Sequence, residues 1–180
     1  MKAIKSSTMA RTLFYSRGIS VAPFLSKNVL PVYKVLCYET HKEFSEVYRE
    51  NPLEALMSVA GVPDVFLVSK DNKPLAVMGL QGMNAQHGIL WSLFTDYFKE
   101  NRTSFYRASP DLIEFFHTHY YSLHVDTWVE NEGIMQWLAW LGFGLEQIEE
   151  GDDNIAMAHF VRCNPNRKNV YALSSRPVKH

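Results

Sequence analysis

The sequence predicts an α/β domain built on a mixed, mostly antiparallel sheet that is flanked by helices. Segments with apolar–polar alternation are interleaved with segments of helical periodicity, in the order β-α-α-β-β-β-α-β-α-β-β. Of the 180 residues, 47% are hydrophobic and 13% are aromatic, which is enough for a substantial core. No apolar run approaches the length of a membrane span. These observations predict one folded domain, alone or with arms.

The clearest pair of elements lies in residues 125–143. Apolar and polar residues alternate from Val125 to Glu130, as in a half-buried strand. Asn131 then occupies the N-cap position of a helix, and Gly142 follows the end of that helix as a C′ glycine would. The apolar stripe of this helix consists of residues spaced three or four apart: Ile134, Trp137, Leu138 and Leu141.

The first part of the domain is predicted to contain one strand and two helices. Apolar residues within 32–36 indicate the strand. Thr40, with Glu43 three residues later, has the spacing of a capping box at the start of the first helix. Asn51, followed by proline, opens the second helix, and Gly61 closes it.

The remaining strands are predicted at residues 65–68, 75–80, 88–95, 125–130, 144–148 and 155–161. The first two form a hairpin through a turn at residues 70–74. The strand at 88–95 should be central because it is apolar almost throughout. Residues 102–120 have helical spacing, and Pro110 predicts a kink or a break in that helix.

The charges are distributed unevenly, although the net charge is only −1. Residues 1–34 contain six basic residues and no acidic one, and residues 162–180 contain five basic residues and no acidic one. All nineteen carboxylates lie within residues 39–153, together with seven basic residues, so this middle part carries −12. An acidic body with two basic ends predicts flexible solvated arms, contact with nucleic acid, or docking on an acidic partner.

Two features of the sequence concern localisation. Residues 1–30 are basic, acid-free and serine-rich, a composition that is also typical of an organelle transit peptide and would imply an organelle matrix. Cys37 and Cys163 lie far apart and lack a metal-ligand spacing, so we expect free thiols in a reducing compartment.

The element order and two local patterns resemble the GCN5-related N-acetyltransferase (GNAT) superfamily. Asn131, Gly142 and Phe143 keep the spacing of the family's helix that opens with asparagine and closes with Gly-Phe. Residues 74–77 are similar to the family's strand after a tight turn. The resemblance covers residues 30–162. It implies a GNAT-like sheet whose central parallel strands splay apart to form a ligand cleft.

Within this superfamily the chain is most similar to small GNAT-like internal virion proteins of short-tailed bacteriophages. That resemblance implies a non-catalytic internal virion or morphogenesis protein, with other virion or assembly proteins as partners, in the host cytoplasm and the virion. Two alternatives stay open: an active N-acetyltransferase, and a nucleic-acid-associated protein that acts through its basic arms. The predicted division is an arm at residues 1–26, a GNAT-like domain at 27–162 and a tail at 163–180.

Comparison with the family's cofactor site implies weak or absent acetyl-CoA binding. The family holds the pyrophosphate with a glycine-containing loop after the fourth strand, whose backbone N–H groups face the phosphates. Here residues 95–103 contain no glycine, and Asp96 and Glu100 add negative charge. Leu138 occupies the position of the family's proton-donating tyrosine. If acetyl-CoA does bind, the resemblance places it on six residues around this loop: Leu93, Phe94, Thr95, Lys99, Arg102 and Asn131.

No catalytic residue can be assigned from the sequence. His124, Asp126 and Glu130 share one face of the predicted strand and are candidates for a general base, but the same pattern is typical of the solvated side of a strand. The remaining histidines have no metal-ligand spacing, so no metal site is predicted. Trp140 lies off the apolar stripe of its helix, and we expect it to be exposed, as at a protein contact.

Overall fold

The structure is a computed structural model, and it describes residues 12–150 and 155–166. The strands in this part of the chain are β1 (Phe14–Ser16), β2 (Ile19–Pro23), β3 (Val65–Lys70), β4 (Lys73–Gly82), β5 (His87–Phe94), β6 (Ser122–Trp128), β7 (Gly144–Glu150) and β8 (Ala156–Cys163). The helices are α1 (Ser26–Tyr33), α2 (Tyr38–Glu43), α3 (Pro52–Val59), α4 (Asp96–His117) and α5 (Glu132–Trp140), and a π-helical turn at Phe44–Tyr48 continues α2. None of these helices is both long and apolar enough to cross a bilayer.

The strands form one sheet in the spatial order β1-β2-β3-β4-β5-β6-β8-β7. Neighbouring strands are antiparallel except β5 and β6, which are parallel. Pairing between β5 and β6 ends at Ile89 opposite His124, although both strands continue beyond these residues. The two central strands therefore diverge toward their C-terminal ends, which confirms the predicted splayed arrangement.

Each face of the sheet has its own core, because side chains alternate between the faces along a strand. Helices α4 and α5 cover one face, where Ala76 and Met78 of β4 belong to the same buried cluster as the α4 side chains Phe105 and Phe116. Helices α1 and α3 cover the other face over β3, β4 and β5, where Val77 belongs to a second cluster. The second face of β6 and β8 lies beside α2 and the π-helical turn, and this is where the polar groups described below gather.

The N-terminal hairpin is the main departure from the predicted organisation. Strands β1 and β2 pair with each other, and β2 pairs with β3 over its whole length. Ile19 and Val21 of β2 are fully buried, so residues 14–23 belong to the sheet although the predicted arm of residues 1–26 included them. Whether residues 1–11 and 167–180 act as arms stays a prediction, since these residues lie outside the described part.

The predicted strand at residues 32–36 is wrong. Val29 and Val32 lie one helical turn apart on the buried side of α1. The packing of this helix therefore overrides the preference of β-branched residues for strands. The capping box at Thr40 is also wrong, because Thr40 lies inside α2 with a buried side chain whose hydroxyl bonds the end of β5. The cap at Asn51 is confirmed: its side chain accepts a hydrogen bond from the Leu53 N–H.

The helix ends predicted in residues 125–143 are confirmed, and the interruption at Pro110 is not. Asn131 is the N-cap of α5, although its side chain makes no capping bond. Gly142 has φ +84°, and the Phe143 N–H donates to the Leu138 carbonyl, which together form a glycine-type C-cap. Helix α4 runs for 22 residues through Pro110 without a break, since its buried stripe continues on both sides of the proline.

Candidate functional site: the splayed cleft and a row of histidines

The cleft between β5 and β6 opens where their pairing ends. At the end of β5, the Thr95 N–H donates to the Leu75 carbonyl of β4. Because backbone groups of successive residues in a strand point to opposite edges, the N–H and C=O of Phe94 face the cleft. A ligand lying along the open edge of β5 would bind these two groups and those of Ser92, two residues earlier on the same edge.

Both cleft-facing groups of Phe94 already have partners from the segment that leads into α2. The Cys37 N–H and the Thr40 hydroxyl donate to the Phe94 carbonyl at 3.1 Å each, and the Phe94 N–H donates to the Thr40 hydroxyl oxygen at 3.3 Å. Leu36 pairs opposite Thr95 as an antiparallel bridge. The protein's own chain therefore takes the place of a neighbouring strand at this end of β5.

The N-terminus of α4 is occupied in the same way. The first N–H of the helix, at Asp96, donates to the Val35 carbonyl at 2.8 Å. Thr95 is fully buried, and its hydroxyl donates to the Pro74 carbonyl at 2.6 Å. The backbone and side chain of Thr95, and the first N–H of α4, are thus committed to contacts within the protein.

Helix α2 reaches across the open end of the cleft to β6. Lys42 places its ammonium group 4.5 Å from the centre of the Trp128 ring and 3.6 Å from the Glu130 carboxylate. Since Thr40 bonds the end of β5 and Lys42 contacts the end of β6, α2 bridges the two diverging strands. The carboxylate of Glu130, a candidate base from the sequence, is therefore engaged in an ion pair.

The cations near α4 also have partners. Lys99 forms ion pairs with Glu39 at 2.9 Å and with Asp96 at 3.8 Å. The hydrogen bond from Lys99 holds the pKa of the exposed Glu39 carboxyl below its usual range. Arg102 lies 5.9 Å from the centre of the Phe98 ring. A phosphate at this position would have to compete with Glu39 and Asp96 for Lys99.

The six residues predicted to hold a cofactor do not form one surface. Phe94, Thr95 and Lys99 follow one another along the end of β5 and the start of α4, but Phe94 packs against the α4 and α5 side of the sheet. Leu93 packs on the opposite face, against the second core. Asn131 lies across the cleft at the start of α5, and Arg102 lies one and a half turns into α4.

A row of hydrogen-bonded polar side chains crosses β5, β6 and β8 on the second face of the sheet; we call it the histidine row, and it consists of His87, Ser122, His124, His159 and Asp126. The Ser122 hydroxyl lies 2.5 Å from His87 Nδ1 and 2.9 Å from His124 Nε2. His124 Nδ1 lies 3.2 Å from His159 Nε2, and His159 Nδ1 lies 2.6 Å from Asp126 Oδ1. The contacts form one continuous path from the closed end of the cleft toward its open end.

Burial and charge perturb several groups around this row. Burial, followed by the neighbouring His159 and His87, lowers the pKa of His124. Partial desolvation, followed by repulsion from Glu43 and Asp126, raises the pKa of Tyr48, which is 46% exposed in the π-helical turn, to about 12. Burial also raises the pKa of Glu43. His124 is thus held as a neutral imidazole near neutral pH.

The sequence indicated only two members of the histidine row. His124 and Asp126 were candidates because they alternate on one strand. His87 and His159 come from β5 and β8, and their contact with β6 depends on the strand order of the sheet, which no spacing in the sequence reveals. Within the described ranges, no cluster of histidine, cysteine and carboxylate groups has the geometry of a metal site.

Two histidines that are wholly or partly buried predict that the protein becomes less stable as the pH falls below neutrality. His124 and the fully buried His117 have lowered pKa values, so below the usual histidine pKa of about 6.5 the unfolded chain binds protons that the folded chain does not. The free energy of unfolding should therefore be largest above this pH. It should decrease as the pH falls from about 6.5 through the lowered pKa values of the folded protein. Urea unfolding of His124→Gln should show a smaller decrease, whereas His41→Gln, on α2 outside the row, should match the wild type.

Comparisons with known proteins identify the fold. No protein-family model matches the sequence, and no curated protein matches it significantly. Among solved structures, the ribosomal L7/L12 α-N-protein acetyltransferase RimL without ligand is similar, with a TM-score of 0.71 and 9% identity over 90% of this chain and 99% of that chain. RimL in complex with coenzyme A has a TM-score of 0.64 and 10% identity over 85% of this chain and 98% of that chain. An acetyltransferase of the GNAT family from Bacillus anthracis has a TM-score of 0.63 and 9% identity over 86% of this chain and 97% of that chain. At these identities the likeness establishes architecture, and the architecture is the GNAT acetyltransferase fold.

Proposed function

We propose that this chain uses the GNAT fold as a binding scaffold in macromolecular assembly and does not hold acetyl-CoA in the usual cleft. The observation that supports this most directly is the pairing of residues 35–37 and Thr40 with the end of β5 and the start of α4. Backbone N–H groups at a helix N-terminus bind phosphate well only when they are free to face it. Here the first N–H of α4 is bonded to the Val35 carbonyl, and the carboxylates of Glu39 and Asp96 pair with Lys99, the cation of the first helical turn.

The form of this proposal that the sequence resemblance suggests is an internal virion or morphogenesis protein of a short-tailed bacteriophage. Its partners would then be other virion or assembly proteins, and the basic ends at residues 1–11 and 167–180 would supply charge for contact with them or with packaged DNA. A cofactor cleft that the protein's own chain blocks at the end of β5 is consistent with such a role, because a scaffold needs the shape of the fold without its chemistry.

Titration with acetyl-CoA tests the absence of cofactor binding. Isothermal titration of the full chain should give no saturable binding in the micromolar range, while a GNAT enzyme in the same buffer serves as the positive control. Any weak binding should depend on Lys99 and Arg102, the cations in the first two turns of α4, and should be lost in Lys99→Ala and Arg102→Ala. Micromolar affinity that survives both substitutions would contradict the proposal. The assembly role is tested separately, by recovery of the tagged chain in purified particles.

Acyl transfer is a second candidate function, and the histidine row favours it. His124 is the last residue of β6 that pairs with β5, so it lies at the vertex of the cleft, and its lowered pKa keeps the imidazole neutral. Because its two ring nitrogens contact Ser122 and His159, a proton taken from an amine would have to enter the row through these hydrogen bonds. Acetylation of an amine-bearing peptide by the full chain, lost in His124→Gln and retained in His41→Gln, would establish this candidate and overturn the scaffold proposal.

A further inference from the structure

An exposed tryptophan lies in a groove between α4, α5 and the turn that joins β1 to β2. Trp140 is 61% exposed, as the pattern of its helix predicted. The groove has a volume of about 390 Å³ and is lined by Arg17, Thr103, Tyr106, Arg107, Pro110 and Trp140. Large exposed aromatic side chains beside arginines are characteristic of surfaces that bind another protein. We call this surface the Trp140 groove.

The Trp140 groove is basic, although it lies on the acidic part of the molecule. Arg17 pairs with Asp111 at 3.8 Å, but both side chains are more than half exposed, so the pair is weakly held. No carboxylate of the described residues lies within ion-pair distance of Arg107. At least one guanidinium in the groove is therefore available to an acidic partner.

The complementary surface lies on the same chain, at the edge of the sheet. Every residue of β7 is exposed, and β7 pairs only with β8 among the described strands. Leu145, Ile148 and Glu150 face the same side of the sheet, and the two apolar side chains are 49% and 52% exposed. The strand also contains Glu146 and Glu149. An edge strand with exposed apolar side chains is a ready site for association.

We propose that two copies of this chain associate through these surfaces, with the acidic strand β7 of one copy docked on the Trp140 groove of the other. Leu145 and Ile148 would contact the indole of Trp140, and Glu150 would pair with Arg107. Since both surfaces are exposed in a single chain, one copy does not satisfy its own groove with its own strand. A reciprocal arrangement of the two contacts would close a symmetric dimer. The inference does not depend on whether the cleft binds acetyl-CoA.

Sedimentation velocity of the full chain over a wide concentration range tests this inference. The wild type should self-associate, and added salt should weaken the association because the paired charges are exposed. Trp140→Ser, Arg107→Glu and Glu150→Arg should each raise the dissociation constant by at least about tenfold. The matched controls are Met57→Ser and Glu54→Arg, exposed residues of α3, and they should leave it unchanged.

Charge exchange provides the decisive comparison. The double variant with Arg107→Glu and Glu150→Arg restores opposite charges across the proposed contact, so it should regain association that each single variant has lost. A wild type that remains monomeric at every concentration would overturn the inference. Association that is insensitive to Trp140→Ser and Arg107→Glu, or that the double variant does not regain, would overturn it as well.

Discussion

Replacing Trp137 with alanine should lower the free energy of unfolding by about 3–5 kcal/mol, the range expected for deleting a large buried aromatic side chain. Trp137 is only 5% exposed. Its ring centre lies 5.6 Å from that of Phe105, and it stacks on Tyr106 at 6.3 Å. Its indole N–H also donates to the Ser109 hydroxyl at 3.2 Å. The substitution would therefore leave a cavity between α4 and α5 and remove a buried hydrogen bond.

Trp140→Ala is the matched control, because it makes the same change three residues later on the same helix. Since Trp140 is 61% exposed, its loss should change stability by no more than about 0.5 kcal/mol. Both variants should be unfolded in urea at low protein concentration, so that self-association does not contribute. If Trp137→Ala and Trp140→Ala lowered the free energy of unfolding by similar amounts, α5 would not pack on α4 through Trp137.

Gly79→Ala should destabilise the protein by about 1–3 kcal/mol, as overpacking typically does. Gly79 pairs directly opposite Trp91 in the antiparallel ladder of β4 and β5, and a Cβ at this position would overlap the indole ring of Trp91. The ring would have to move against the second core, which it packs on. Chemical denaturation followed by far-ultraviolet circular dichroism measures the effect.

Gly133→Ala is the matched control for this substitution. Gly133 lies in α5, and a Cβ there would meet nothing within 4 Å. The change should stabilise the protein by about 0.5–1 kcal/mol, because alanine has less freedom to lose in a helix than glycine. The changes in the free energy of unfolding should therefore have opposite signs in Gly79→Ala and Gly133→Ala. Equal and small effects would mean that β4 and β5 accommodate a side chain where the structure places the ring of Trp91.

Local chemistry and burial indicate the same structure in parts of the chain, and those parts fold as their sequence predicts. In residues 125–143 the alternation, the cap position at Asn131 and the glycine at 142 all indicate the same elements, and the structure has them. The hairpin of β3 and β4 was likewise predictable, since its turn at Asp71 and Asn72 adopts the positive φ values that these residue types tolerate. From these elements the order of the fold, and the divergence of β5 and β6, could be anticipated.

The N-terminal elements could not be predicted, because their conformation depends on partners far away in the sequence. Residues 14–23 form a hairpin since β3 offers them a free edge, and their basic flanks gave no local sign of it. Thr40 looked like a helix cap, but it is buried inside α2 and bonds Phe94, 54 residues away. In both cases a long-range contact outweighed the local preference.

Residue type and spacing alone indicate the order of the elements from β3 onward, the helix α5 with its caps, the uneven charge and the lack of glycine after β5. These properties depend on residue type and spacing within short stretches, so they can be read without coordinates. What occupies the end of the cleft, and which polar groups meet, follows from long-range packing. The closure of β5 by residues 35–40 and the contact of His87, His124 and His159 require strands and helices from distant parts of the chain to pack in one order. Hydrogen bonds between residues 35 or more positions apart have no local pattern, and the sheet alone brings them together.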